Sequence, residues 1–549
     1  MPGGPKIAMR SAFEPNGLLA VPDRFNFASD IVYHTAERSP SATATIAVDD
    51  AGRIEHWSFA RVAEPAQGLA ATLAAAGLRA GDRVLILMPR TPQWQVAMLA
   101  CLHLGLIPVP CVTQVSTAEV DYRIVRSGSV AAITDRRFFD KFTASRDRLR
   151  VRLASGGGGG GGNEDWQDLG AAMRSGKAAP APALMPAEAP ALMYFTSGSS
   201  GPPKPVLHAA RGLYVRSRQP WAQLGIADGD VIWTTSDTGW TRAASCLLFG
   251  AWMNGAAAVM HDGAPDSATK VEALERFAVS CFGAVATELR LIMAQAPRRP
   301  LPRLRFTLSA GEAMTAELAH GWRAFSGAPL IVGYGQTETP TATLTLPDAE
   351  PLNGMIGRSM EGNRVTVLDD AGNEAAPGVA GQIAFDRADA GLMLGYWDDG
   401  ACSLPVQHGH WYLTGDTGYR DADGNIFFVG RDDDIISSGG YRIGPTEVEN
   451  ALMAHPAVAE CAVAASPDSL RGEIVKGFVV LRPGHAPSDA LATALQQHVR
   501  QAIAPYKYPR RIAFVDSLPR TASGKLSRRL LREAEFNTDP VTSVKGNPR

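Results

Sequence analysis

Thr196-Ser197-Gly198-Ser199-Ser200-Gly201-Pro202-Pro203-Lys204 is the stretch on which the fold turns. Glycines at 198 and 201 let a backbone approach a ligand closely and take left-handed conformations. Hydroxyls and bare N–H groups can then surround phosphate oxygens, as anion-binding nests do. Lys204 adds a cation at the end. The apolar run Ala191-Leu192-Met193-Tyr194-Phe195 leads into it and predicts a buried strand. Alone, the loop also reads as a Ser/Gly linker. It is not a Walker A loop, because Lys204 follows no glycine and precedes no Ser or Thr.

Working outward, 549 residues exceed what one core supports, so two or more domains are expected. A net charge of −2 and 45% hydrophobic content speak against a nucleic-acid surface or a disordered chain. Six scattered cysteines without a C-x-x-C pair argue against a disulfide framework and against a zinc site. The first thirty residues carry no apolar run resembling a signal peptide, and no stretch approaches the ~20 apolar residues of a membrane span. A cytoplasmic location is the expectation.

Residues 59–78 and 92–104 have helical spacing, and residues 83–88 predict a strand. Residues 107–112 predict an extended segment, placed at a sheet edge by Pro108 and Pro110. Gly156 to Gly162 is a run of seven glycines and reads as a surface loop; residues 178–190 read as a connector. Strand–helix alternation through about residue 430 predicts a large α/β body with mostly parallel pairing. Beyond it, helices at 445–455 and 490–501 and strands at 460–465 and 477–481 predict a small α+β domain. The fold class expected is α/β, with domains at 1–432 and 433–549.

Four further stretches carry chemistry: Gly333-Tyr334-Gly335-Gln336-Thr337-Glu338, Tyr412-Leu413-Thr414-Gly415-Asp416, Gly430-Arg431-Asp432-Asp433 continuing into Ser438-Gly439-Gly440-Tyr441-Arg442, and Pro519-Arg520-Thr521-Ala522-Ser523-Gly524-Lys525. Singly, each could be a turn or a solvated surface. Together, in this order, they resemble the adenylate-forming superfamily of acyl-CoA synthetases, luciferases and adenylation domains. Ser236-Asp237-Thr238-Gly239-Trp240, Tyr441-Arg442-Ile443-Gly444-Pro445 and Ala504-Pro505-Tyr506-Lys507-Tyr508-Pro509 make the chain most similar to the medium-chain acyl-CoA synthetases.

The resemblance implies two steps. A carboxylate attacks the α-phosphate of ATP and expels pyrophosphate; the thiol of coenzyme A then attacks the acyl-AMP and releases AMP. It implies that Thr196, Ser197, Gly198, Ser199, Ser200, Gly201 and Lys204 hold phosphates and that Glu338 helps hold Mg²⁺. Tyr334 is implied to stack on adenine, with Gly311, Glu312 and Ala313 as the other wall and Gln336 and Thr337 alongside. Asp416, assisted by Arg431, would accept from the ribose hydroxyls, and Arg442 belongs to the nucleotide set. Lys525 would bridge carboxylate and phosphate in the first step.

By the same resemblance, Asp433 is the hinge about which the small, mobile domain turns between steps. Gln114, Gly439, Gly440, Tyr441, Arg471, Arg500 and Tyr508 match coenzyme A positions. Trp240 is implied to line the acyl pocket. Gly335 stands where short-acid relatives carry Trp, so its missing side chain is expected to leave room for a medium-chain, branched or aryl acid. The alternatives are an enzyme that loads a carrier protein and an inactive nucleotide-binding homologue. The partners expected are small molecules, with neither nucleic acid nor a membrane span.

Overall fold

The computed structural model describes residues 13–142, 145–156, 166–196, 202–263, 265–312, 314–398, 400–404, 407–438, 441–468, 472–503, 505–520 and 526–537. The seven-glycine run falls almost wholly outside these, as do residues 197–201, 313, 439–440, 469–471 and 521–525.

Two sheets share a helical filling. In the first, Thr43–Val48, Ala257–His261, Val231–Thr234, Cys281–Gly283, Phe306–Ser309 and Leu330–Tyr334 pair in that spatial order, all parallel. The helices Ser267–Arg276, Ala286–Gln295 and Ala316–Ser326 carry the chain back between its later strands. In the second, Ile107–Pro110, Arg83–Leu87, Ala131–Asp135, Val151–Ser155 and Gln167–Asp168 pair in parallel. Ile107–Pro110 sits at its edge, where the prolines' missing N–H groups cost no ladder bond.

The helix Phe59–Ala75 starts at Ser58, whose side chain accepts from the Arg61 N–H. Pro92–His103 opens with proline and buries every residue but Gln93. Such a helix has no solvent face, and Gln95 inside it is satisfied by the Thr45 hydroxyl (2.8 Å) and the Leu247 carbonyl (2.6 Å). All six cysteines are free thiols.

After Tyr334 the pairing changes. Thr343–Leu344, Met355–Ser359, Ile426–Arg431, Trp411–Arg420, Ala380–Asp386 and Val365–Leu368 extend the first sheet in that spatial order, all antiparallel. This corrects the expectation of mostly parallel strands through residue 430. Short turns such as Asp421-Ala422-Asp423-Gly424-Asn425 close hairpins, whereas a parallel return needs a crossover of a dozen residues or more. Pro190–Thr196 and Lys204–Ala209 form an antiparallel hairpin, extended by Gly395–Asp398 and Ala401–Ser403.

The last segment builds its own sheet from Tyr441–Ile443, Ile436–Ser438, Gly472–Leu481 and Val458–Asp468, with Arg511–Phe514 parallel to Gly472–Leu481. Pro445–Met453 and Asp489–Ala502 cover one face through Val448, Leu452, Leu495 and Val499. Arg528–Asn537, which residue patterning did not predict, covers the other through Leu531.

The two parallel sheets meet where residues 236–240 cross 111–113. The Asp237 carboxylate accepts from the Thr113 N–H and hydroxyl, and a Cβ on Gly239 would lie 2.0 Å from the Val112 nitrogen. Only glycine permits that approach. Gly239→Ala should cost about 1–3 kcal/mol of stability, measured by chemical denaturation, because backbone rather than a flexible side chain would have to move. An unchanged denaturation midpoint would contradict this contact.

Candidate active site

The loops after Val231–Thr234, Cys281–Gly283, Phe306–Ser309 and Leu330–Tyr334 all leave the carboxyl ends of parallel strands. Ligands in open α/β sheets gather at such ends. Here the loops line a cleft of about 2640 Å³ that also takes in Thr196, Lys204, Asp416, Arg431 and residues 526–529.

Asp416 lies at one end of the cleft. It is 4% exposed, and three segments converge on it. The Tyr334 hydroxyl donates to Oδ2 at 2.6 Å, and Gln336 Nε2 donates to the same oxygen at 2.8 Å. Arg431 lies 3.1 Å from Oδ1 and is placed there by pairing directly opposite Asp416 in the sheet. Burial raises the Asp416 pKa above the ordinary carboxylate range, and Arg431 opposes that shift. Tyr334 is pushed well up by burial and by the neighbouring Asp416 charge, so it stays a neutral donor.

The turn carrying Glu338 is braced from within. Gln336 N–H donates to the Thr339 hydroxyl at 2.8 Å. Arg216, buried on the helix Ala210–Arg218, donates to the Thr337 carbonyl (3.1 Å) and the Thr339 carbonyl (2.9 Å). These carbonyls flank Glu338, whose Oε1 accepts from the Tyr396 hydroxyl at 2.7 Å. Lys204 lies directly opposite Thr196 in the hairpin, with Nζ 5.1 Å from the Tyr396 ring centre. Thr196 and Lys204 therefore stand at the two feet of the loop whose residues 197–201 fall outside the described set. Glu312 lines the cleft, but its carboxylate accepts from the Thr287 N–H (2.9 Å) and hydroxyl (3.1 Å) at the start of the helix Ala286–Gln295.

Patterning missed Tyr396, Arg216 and Arg242. Tyr396 reaches the site through the pairing of Gly395–Asp398 with Lys204–Ala209, which no local signal announces. Both arginines lie in helical stretches, where sequence alone suggests solvent.

Lys525 and Ala313 lie outside the described residues, as do Gly439, Gly440 and Arg471; Tyr441 and Arg442 are described only as backbone of the strand Tyr441–Ile443. Arg520 and Leu526, which flank residues 521–525 in sequence, bridge each other, and both line the cleft. Just beyond, Arg528 grips Glu449 with two hydrogen bonds (2.9 and 2.6 Å) and lies 3.5 Å from Asp434, next to the expected hinge residue Asp433. Gln114 lines the cleft, whereas Arg500 and Tyr508, stacked at 5.7 Å, do not.

Gly335 lines the cleft, but, against the expectation that it leaves room for the acid, a Cβ there would lie 2.2 Å from the Pro340 carbonyl oxygen and 2.8 Å from its carbon. The missing side chain thus permits a tight turn and does not vacate a pocket. Trp240, half-buried, forms cleft wall together with Leu308 and Val332.

Known proteins share this arrangement. The family described as AMP-binding enzyme matches residues 32–397, and its C-terminal domain matches residues 447–525. Acyl-coenzyme A synthetase ACSM3, mitochondrial, of Rattus norvegicus is 36% identical over 543 residues, covering 95% of this chain and 92% of that protein. Acyl-coenzyme A synthetase ACSM5, mitochondrial, of Homo sapiens is 35% identical over 539 residues, with the same coverage. Among solved structures, an acyl-CoA synthetase of Brucella canis has a TM-score of 0.71 at 32% identity, covering 95% of this chain and 96% of that one. The anthranilate CoA ligase AuaEII, in complex with anthranoyl-AMP, has a TM-score of 0.83 at 28% identity, covering 94% and 98%. A benzoate CoA ligase from Burkholderia xenovorans LB400 has a TM-score of 0.82 at 27% identity, covering 93% and 100%. The mitochondrial names of the curated relatives overturn the cytoplasmic expectation. With both family regions matched and the likeness running nearly end to end, the chain belongs to the AMP-binding enzyme family of the adenylate-forming superfamily, as an AMP-forming acyl-CoA synthetase similar to the medium-chain group.

Proposed function

We propose that the acid activated here is a medium-chain, branched or aryl carboxylic acid and that Lys525 is the residue that activates it. The observation that carries this reading is the shared cleft: the phosphate-side residues Lys204 and Glu338, the buried Asp416 and the segment just after Lys525 all border it. The aryl alternative draws on the anthranilate and benzoate ligases among the structural neighbours.

The first step brings a carboxylate anion against a polyanion, so cations and N–H donors must offset the repulsion. Lys204 and the loop 196–201 hold the β- and γ-phosphates. Glu338 is one carboxylate rather than a ligand cage, and among the described residues no group of three metal-ligating side chains occurs. That suits Mg²⁺, which is commonly held by one or two carboxylates together with substrate phosphates. When bound, Mg²⁺ supplies Lewis-acid neutralisation of phosphate charge. Tyr396 and Arg216 keep the Glu338 side chain and its turn in place. Tyr334 forms one adenine wall and residues 311–313 the other. Asp416 accepts the ribose hydroxyls, for which its ionised form offers free lone pairs.

Residues 1–432 form the ATP- and acid-binding domain and residues 433–549 the domain carrying Lys525, with Asp433 as hinge. Gln114 at the cleft and Arg500 with Tyr508 away from it are a set that turning about the hinge would unite around coenzyme A. Residues 438–441 and Arg471 complete that surface, and Arg442 belongs to the nucleotide set.

Two outcomes test the assignment. Lys525→Ala should slow acyl-AMP formation by about 10²- to 10³-fold while leaving thioester formation from supplied acyl-AMP near the parent rate, as rapid-quench assays of each half-reaction would read. Equal loss in both steps would refute the role. Asp416→Asn should weaken AMP binding by about 10- to 100-fold in calorimetry at neutral pH. Because burial raises the Asp416 pKa, the parent's affinity should fall as pH drops through that raised value and the carboxylate protonates, whereas the Asn variant should stay flat. A parent profile as flat as the variant's would remove Asp416 from the ribose.

A further inference from the structure

Arg242 is a cation that neither the family reading nor the two-step scheme uses. It follows Trp240 at the start of the short helix Thr241–Ala244 and lines the cleft. The residue is half-buried and borders the open space of the cleft. One nitrogen donates to the Ala310 carbonyl, which fixes the head group just past the end of the strand Phe306–Ser309. Among the described residues it forms no ion pair. Two carboxylates whose charges reach it have partners of their own: Glu288 with Lys270 (2.8 Å) and the Thr235 hydroxyl (2.7 Å), Glu312 with Thr287.

A guanidinium has five N–H donors in a planar fork suited to a carboxylate. Among the described residues one acceptor meets it, the Ala310 carbonyl. Trp240, Leu308 and Val332 also line the cleft. A plain alkyl chain laid against Arg242 would leave a half-buried charge uncompensated. Its backbone follows the strand Val231–Thr234, and its head group is held at the end of Phe306–Ser309, which pairs with Leu330–Tyr334. Lys204, by contrast, stands at the foot of the hairpin and Arg431 at Asp416.

We propose that Arg242 is a specificity residue that receives a second oxyanion of the acid, so that the preferred substrate is an acid bearing a further carboxylate or comparable anionic group beyond the one activated. This rests on the acid-activating reading above and narrows it. The skeleton remains medium-chain, branched or aryl; its far end is charged. Discrimination follows from the unpaired donors, because a site built to hydrogen-bond a substrate group rejects an analogue lacking it far more strongly than a hydrophobic pocket rejects a missing methylene.

The test is pyrophosphate release by the full chain without coenzyme A, which isolates the acid from the thiol. Straight-chain dicarboxylic acids are each compared with the monocarboxylic acid of equal length, and terephthalate with p-toluate. The parent should favour the dianionic member of the preferred pair by at least ~100-fold in kcat/KM. Arg242→Met should abolish that preference by losing the dianionic acid while retaining or improving the monoanionic one, and Arg242→Lys should restore part of it. A parent that prefers apolar acids, or an Arg242→Met variant that loses both members alike, would overturn the proposal. So would a variant altered only in its KM for coenzyme A, measured in the full reaction. Failure of every acid to release pyrophosphate would instead strike the acid-activating reading itself.

Discussion

Asp416 is the point on which both halves of the large sheet depend. The parallel half ends at Leu330–Tyr334, and the antiparallel half supplies Trp411–Arg420 and Ile426–Arg431. Tyr334 and Gln336 reach Asp416 from one side and Arg431 from the other. Taking a carboxylate out of water costs several kcal/mol, so these partners are a condition of its burial. Arg431 is also the last residue of its strand and leads directly into the short helix Asp432–Asp434. The interaction that holds Asp416 in place therefore lies two residues before the proposed hinge.

Anion meeting anion explains the remaining layout. Positive groups are distributed along the cleft and not pooled: Lys204 at the hairpin foot, Arg431 at Asp416, Arg242 at the Ala310 carbonyl. Arg216 acts at one remove, through the carbonyls on either side of Glu338. Donors fixed before the substrate arrives need no reorganisation during reaction, which is the main source of electrostatic catalysis. The same logic accounts for Gly335 and Gly239. Each lets two backbone segments meet where any Cβ would collide, and each meeting sets a wall of the cleft.

Much of this was legible in residue patterning. Pro92 and Gly105 bracket a helix, the prolines at 108 and 110 put their strand at an edge, and the apolar run before Thr196 is the strand it reads as. The five motifs identify the family because their order and types are jointly specific. What stayed hidden depends on long-range pairing. Antiparallel strands after Tyr334 alternate with too little polarity to betray their direction. Tyr396 meets Glu338 and Lys204 only through a strand pair formed across most of the large domain. Arg216 and Arg242 look like surface residues of helices until packing encloses them. Gly335 misled for the opposite reason: a missing side chain reads as room, yet the backbone of Pro340 occupies that room.

The central claim is that this cleft joins a carboxylate to AMP before any thiol takes part. Acid-dependent exchange of labelled pyrophosphate into ATP, measured in the complete absence of coenzyme A, tests it most directly. The account predicts exchange that requires the acid, proceeds without coenzyme A, and gives way to AMP and thioester when coenzyme A is added. No exchange with any acid, or release of ADP in place of AMP, would contradict it.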